Sequence, residues 1–286
     1  MTIDSIVNLL AMVTLFEMMV TIGLGVAVAE VVAIARDWRA VACAGLANYV
    51  IVPLAALGLL LLFHAAPLVA AGFLIAAVCP GAPYGPPFTG MAKGNVALAV
   101  GLMTLLAGSS ALLAPLLLRL LLPFASGDAQ VQIDVAKMIG TLLGAQLLPL
   151  GVGLFLRHRH PALADRLQKP GQRLTVLLNL VLLAIILTVQ FDTLIAIPPR
   201  AFAGMTAFVA VGLAAGWLLG GPGQAERTAM AMATAVRNVA VTLVIAMASF
   251  PGTPAVTAAT AFGLFQTILV ALAALAWGRM TTAAAK

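Results

Sequence analysis

The sequence predicts an all-α polytopic membrane protein of about nine transmembrane helices, two of them broken at mid-membrane and crossing one another. Three observations carry this. Of 286 residues, 63% are hydrophobic and 8% charged, with a mean hydropathy of +1.13, which places the whole chain in lipid rather than giving a soluble protein one anchor. Pro80, Pro83, Pro86 and Pro87 crowd one apolar run together with Gly81, Gly85 and Gly90, and no continuous helix survives that density of residues lacking an N–H or a β-carbon. Arg237 stands at the centre of a second run, Ala229–Ser249. There an arginine costs roughly 2.5–3.5 kcal/mol and is normally paired, hydrated or lining a cavity.

About 20 apolar residues cross a bilayer as a helix. On that criterion the spans are 5–27, 40–63, 67–90, 95–123, 131–156, 174–196, 201–220, 228–249 and 255–277. The N-terminus lacks the basic region of a signal peptide and is read as the first retained span. The loops after spans 1, 3, 5 and 7 and the C-terminal tail hold eleven of the fifteen basic residues, including Arg36, Arg39, Lys93, Arg227, Arg279 and Lys286. The opposite side holds only Arg119, Lys137 and Arg200. The positive-inside rule therefore puts the N-terminus outside and the C-terminus in the cytoplasm, as an odd number of spans requires. A plasma or bacterial inner membrane is the expected location. The longest loop, 157–173, reads as a basic cytoplasmic connector in which His158 and His160 are solvated, with a pH sensor as the alternative. With no other long polar stretch, residues 1–286 read as a single membrane domain.

Basic residues confined to short loops imply no nucleic-acid partner, and no obligate protein partner is evident. Cys43 and Cys79 lie inside apolar runs without metal or redox spacing, so neither a disulfide framework nor a bound cofactor is expected. HExxH, paired intramembrane aspartates and a serine/histidine dyad are all absent, which argues against an enzyme. A channel would need a repeated pore-lining stripe or filter motif, and none is present. Gly140 and Gly144 form a small-xxx-small face suited to helix packing. Trp38, Trp217 and Trp277 lie near span ends as interfacial anchors. Met18, Met19, Met230 and Met232 read as lipid or core contacts.

Backbone unwound at membrane depth is tolerated only where it is buried in protein or lines a cavity. Span 8 has its interruption from Thr234 to Asn238 and crosses in the opposite direction to span 3. Two such helices, each followed by one more span, are what an inverted repeat with a midplane substrate site produces. The alternative is a merely proline-kinked span 3.

The run Gly72 to Asn95 and the residues after it resemble the bile acid:sodium symporter family. Cys79, Pro80 and Gly81 match its break, and Ala92, Lys93, Gly94, Asn95, Val96, Ala97 and Leu98 match the stretch that follows. Gly23, Leu24, Arg39, Pro53 and Asn238 add to the likeness. The resemblance implies a core built on crossed helices, spans 3 and 8 with 2, 4, 7 and 9 around them. A panel of spans 1, 5 and 6 would pack against it, with substrate between panel and core. It also implies that one N-terminal span of the ten-helix members is lacking.

The departures fall on the sodium ligands. Where the family reads threonine-alanine-serine-asparagine, this chain has Pro83, Tyr84, Gly85 and Pro86. Where it places a glutamate and, four residues on, a glutamine, Ala233 and Arg237 stand. Asn48 keeps an amide where the family has glutamine, and Thr104, Ser109 and Ser110 are weak candidate cation ligands, although hydroxyls also simply pack helix interfaces. Sodium binding is therefore doubtful, and Arg237 is expected to replace the cation. Glu17 is the one acidic residue deep in a span; it pairs with Arg237, carries a proton or snorkels to an interface. Glu30 is interfacial. The expected function is a secondary transporter of a small organic anion, sodium-independent and working by alternating access. Its substrate or crossover residues would be Arg237, Asn238, Thr234, Pro83, Tyr84, Gly85, Thr89, Asn48 and Glu17. A sodium- or proton-coupled symporter using other ligands, or a channel, are the alternatives.

Overall fold

Helix-length apolar runs fold as helices because lipid offers the backbone no other hydrogen-bond partner. The computed structural model describes residues 3–126, 131–189, 191 and 197–284. The end of the sixth expected span (190 and 192–196) and Lys286 lie outside the described residues. Among the described residues twelve helices follow in order: α1 Ile3–Leu24, α2 Val28–Arg36, α3 Trp38–Leu62, α4 Pro67–Ala77, α5 Gly85–Met91, α6 Val96–Ser126, α7 Val135–Arg159, α8 Pro161–Val189, α9 Pro199–Leu219, α10 Gln224–Ala235, α11 Val239–Ser249 and α12 Pro254–Ala284. No strand occurs among the described residues. Among the described residues seven segments, with α10 and α11 taken together, are long and apolar enough to cross a bilayer by themselves. This is an integral, multi-pass membrane protein.

Both expected breaks are present. Span 3 divides into α4 and α5 around the unwound residues Val78–Tyr84, and span 8 into α10 and α11 around Val236–Asn238. The α10–α11 segment is 94% buried, against 33–56% for the other six, so it is the axis on which the bundle is built. Around it, α9 packs on α10 and α12 on α4, while α1 packs on α7 and α8. The α1–α7 contact is set by two glycines: a β-carbon on Gly23 would fall 2.5 Å from the Leu150 carbonyl oxygen, and one on Gly153 2.3 Å from that of Val20. Met18, Met19, Met230 and Met232 are all core residues.

Several expectations are corrected. The 157–173 connector is helical: α7 runs to Arg159 and α8 starts at Pro161 and passes through Pro170. Its polarity identifies a helix surface in water, and Arg157 and Asp165 pair across the corner at 2.5 Å; His158 and His160 are exposed. Gly140 and Gly144 are exposed, and a β-carbon on either would meet nothing within 4 Å. Among the described residues they form no helix interface, and the close approach of α1 to α7 belongs to Gly23 and Gly153. Trp217 and Trp277 pack against each other, ring centroids 4.8 Å apart and tilted by 50°, whereas Trp38 is exposed. The surface helix α2 was not foreseen; Glu30 caps its first turn by accepting from the Ala27 N–H at 3.1 Å.

Candidate functional site at the helix crossover

The two breaks meet in the middle of the bundle. Asn238 joins them: its N–H donates to the Cys79 carbonyl at 2.8 Å and its Nδ2 to the Gly81 carbonyl at 3.2 Å. Its Oδ1 meanwhile accepts from the Val241 N–H at 3.2 Å and caps α11. One short amide thus satisfies backbone groups from both broken helices. Gly81 makes the crossing close. Its φ is +81°, and a β-carbon there would lie 2.4 Å from the Ala107 nitrogen on α6.

Arg237, 1% exposed, lies within this crossing. Its Nη1 donates to the Ala77 carbonyl at 3.3 Å, and its Nη2 to Asn48 Oδ1 at 2.6 Å and to the Thr234 carbonyl. Ala77 is the last residue of α4 and Thr234 lies in the last turn of α10. Each helix directs the negative end of its dipole and its unsatisfied carbonyls toward this point. The guanidinium meets both. Asn48 is held in turn by donating its Nδ2 to the Ala44 carbonyl at 2.9 Å and to Thr234 Oγ1 at 3.3 Å. Gln266, which the sequence reading missed, clamps the backbone of Arg237, accepting from its N–H at 3.0 Å and donating to its carbonyl at 2.9 Å. Only Nε finds no partner among the described residues.

The remaining candidates separate from this cluster. Glu17 does not pair with Arg237. Its carboxylate accepts from Thr21 Oγ1 at 2.8 Å and Thr175 Oγ1 at 2.7 Å, on the α1–α8 side of the molecule. Thr89 is buried and donates to the Gly85 carbonyl at 2.9 Å, within its own helix α5. Gly85 stands opposite Ala233, its β-carbon position 4.0 Å from the Ala233 Cα, so neither side of this contact offers a polar side-chain atom. The cation ligands suggested on α6 do not assemble with Asn48. Thr104 donates to Val100, Ser109 to Leu105 and Ser110 to Ala107, each within its own helix, while Asn48 is engaged with Arg237.

Pro83 and Tyr84 open onto a cavity of about 370 Å³ between α1 and α8 on one side and the α4–α6 segment on the other. Thr21, Gln168, Gln172 and Thr175 supply the rest of its polar lining, and no lysine, arginine or histidine lines it. The size is in the range of small-molecule sites. Arg237 is not among its walls.

A second unforeseen feature flanks the crossover. α3 and α7 each contain a π-helical turn, Ala47–Ile51 and Leu143–Leu147, shortly before Pro53 and Pro149. The widened turns carry Tyr49, whose hydroxyl donates to the Leu106 carbonyl at 3.0 Å, and Gln146, which donates to Ser110 Oγ at 2.9 Å and to the Ala107 carbonyl. Both grip the turn of α6 against which Gly81 rests. A proline inside an apolar run is the only sequence signal for them.

Residues 12–197 match the family model described as the Sodium Bile acid symporter family. The chain belongs to that family. Its members are transporters rather than enzymes. The chain is also similar to the uncharacterized sodium-dependent transporter YocS of Bacillus subtilis (strain 168), 32% identical over 112 residues. That stretch is 39% of this chain and spans 33% of the relative's length.

Proposed function

We propose that this symporter-family member is a secondary transporter of a small organic anion in which Arg237 takes the place of the coupling cation. The observation that supports this most is the guanidinium donating to carbonyls at the C-terminal ends of α4 and α10 and to Asn48 Oδ1. Carbonyls and amide oxygens converging from two broken helices are a cation's environment. Here the cation is covalently attached, so it supplies the charge without supplying a gradient. Glycine and alanine face each other at Gly85 and Ala233, where the family resemblance implies oxygen ligands.

Substrate enters the cavity beside Tyr84 in this reading. An anionic group would meet neutral donors, the Tyr84 hydroxyl and the amides of Gln168 and Gln172, with Arg237 as the buried positive charge joined to that wall through Asn238 and Gly81. Alternating access would move the α1–α7–α8 group against the rest, and the broken segments α4–α5 and α10–α11, each followed by one more span, would be equivalent members of an inverted repeat. By the positive-inside rule the basic loops favour a cytoplasmic setting for this cavity and for the C-terminus. A C-terminal reporter fusion should be active only in the cytoplasm; an exclusively external signal would reverse the orientation.

Two findings favour a sodium-coupled reading: the description of the matched family and the name of the relative both carry sodium. The two readings separate in proteoliposomes. Counterflow of the transported anion should be unchanged when sodium is replaced by choline. A tenfold rise in ligand affinity on adding sodium would require about 1.4 kcal/mol of coupling and would establish the sodium-coupled reading instead.

A further inference from the structure

A second cavity, of about 360 Å³, lies at the other end of the bundle from the first. It is enclosed by the end of α3, the turn into α4, and the first turns of α9 and α12. Of its twenty lining residues only His64, Arg200 and Thr257 carry polar side chains. Its inner wall is aromatic: Phe73 and Phe208 pack edge-on with centroids 6.0 Å apart, and Phe262 packs against both, edge-on to Phe208 at 5.2 Å and tilted against Phe73 at 4.9 Å. Phe208 and Met205 are buried to 2% exposure, whereas Arg200 and His64 are exposed. The cavity is therefore an apolar sleeve with a cationic end.

His64 is placed there against local backbone preference. The turn after α3 closes as a Schellman motif, with the His64 N–H on the Leu61 carbonyl and the Ala65 N–H on the Leu60 carbonyl. His64 occupies its left-handed position at φ +49°, where glycine is the usual residue. The side chain that glycine would omit stands at the charged end of the sleeve. No described acidic residue forms an ion pair with Arg200.

We propose that this cavity binds the acyl chain of an anionic amphiphile, its chain against the phenylalanines and its head group on Arg200 and His64. Arginine is the residue suited to a carboxylate or phosphate, since its charge is permanent and its donors are forked. The volume falls within the range of ligand pockets, and its two basic side chains lie at the loop end of the bundle. The same chemistry is offered by a free fatty acid and by a phospholipid. This site is separate from the crossover and does not depend on how transport is coupled.

The test uses the full chain in phosphatidylcholine nanodiscs, titrated with dodecanoate, dodecanol and octanoate while thermal stability is followed. Dodecanoate should stabilise more than either, each methylene within the sleeve tightening binding by up to roughly fourfold. Arg200→Gln should weaken dodecanoate at least fivefold. Gly204→Leu should abolish its binding: a β-carbon on Gly204 meets only the Phe63 ring at an ordinary 3.5 Å, so the longer side chain fills the sleeve without breaking the helix. His64→Gly should weaken binding while leaving the melting temperature unchanged or higher, which separates loss of ligand from loss of fold. In nanodiscs containing phosphatidylglycerol, stabilisation identifies a phospholipid, and stabilisation by dodecanoate alone identifies a free fatty acid. Equal stabilisation by dodecanoate and dodecanol, wild-type binding in Gly204→Leu, or no response to either anionic probe would overturn the proposal.

Discussion

Arg237→Gln should lower the stability of the purified protein by about 3 kcal/mol, the scale of a broken buried charge interaction. The variant leaves the carbonyls of Ala77 and Thr234 and the Asn48 amide oxygen facing one another without a charged donor. Arg237→Lys should recover part of this, because an ammonium keeps the charge but cannot span three acceptors as a planar fork does. Thermal unfolding in one detergent, with ligand and without, measures both. Adding Ala233→Glu to Arg237→Gln restores a carboxylate and an amide four residues apart at the crossover. That double variant should melt higher in sodium than in choline, whereas the wild type should not distinguish them. A wild-type melting curve for Arg237→Gln would show that the guanidinium is not what holds the half-helices together.

Gly81→Val should be worse still, with a loss of about 4 kcal/mol or more, in the range reserved for core overpacking and backbone strain. Two independent penalties coincide there. The backbone is left-handed at φ +81°, and the added β-carbon falls 2.4 Å from the nitrogen and 2.7 Å from the Cα of Ala107. Those atoms belong to the main chain of α6 and cannot rotate away. Displacing the turn also breaks the Asn238 bond to the Gly81 carbonyl, so the crossing itself should separate. Gly140→Ala provides the contrast. It has open space around it and should be neutral or stabilising by up to about 1 kcal/mol, the helix propensity of alanine over glycine. Expression level and melting temperature distinguish the two; similar behaviour would mean that the close approach at Gly81 does not govern the fold.

What the sequence determined by itself is what lipid and covalent geometry impose locally. Apolar length gave the helical segments and their membrane setting, because a bilayer permits few other backbone solutions. Proline and glycine density located the first break, and the cost of a charge at mid-bilayer located the second; each is a property of a few adjacent residues. Chemistry at a single position was legible too, in the cation at Arg237, whereas the absence of a carboxylate at Ala233 is meaningful only through the family resemblance. What tertiary structure alone decided is which partner each group meets. Glu17 is acidic and Arg237 basic, and electroneutrality suggested a pair, yet the packing of α1 on α8 gives Glu17 to Thr21 and Thr175. Gln266, 29 residues beyond Arg237, was one more amide in an apolar run until α12 brought it against the break. Gly140 and Gly144 had the spacing of an interface, but spacing fixes only that two residues share a face, while the neighbours of that face are set by the whole bundle. Local steric and solvation costs are written in consecutive residues; the pairing of buried polar groups depends on contacts distant along the chain, which exist only once the helices have packed.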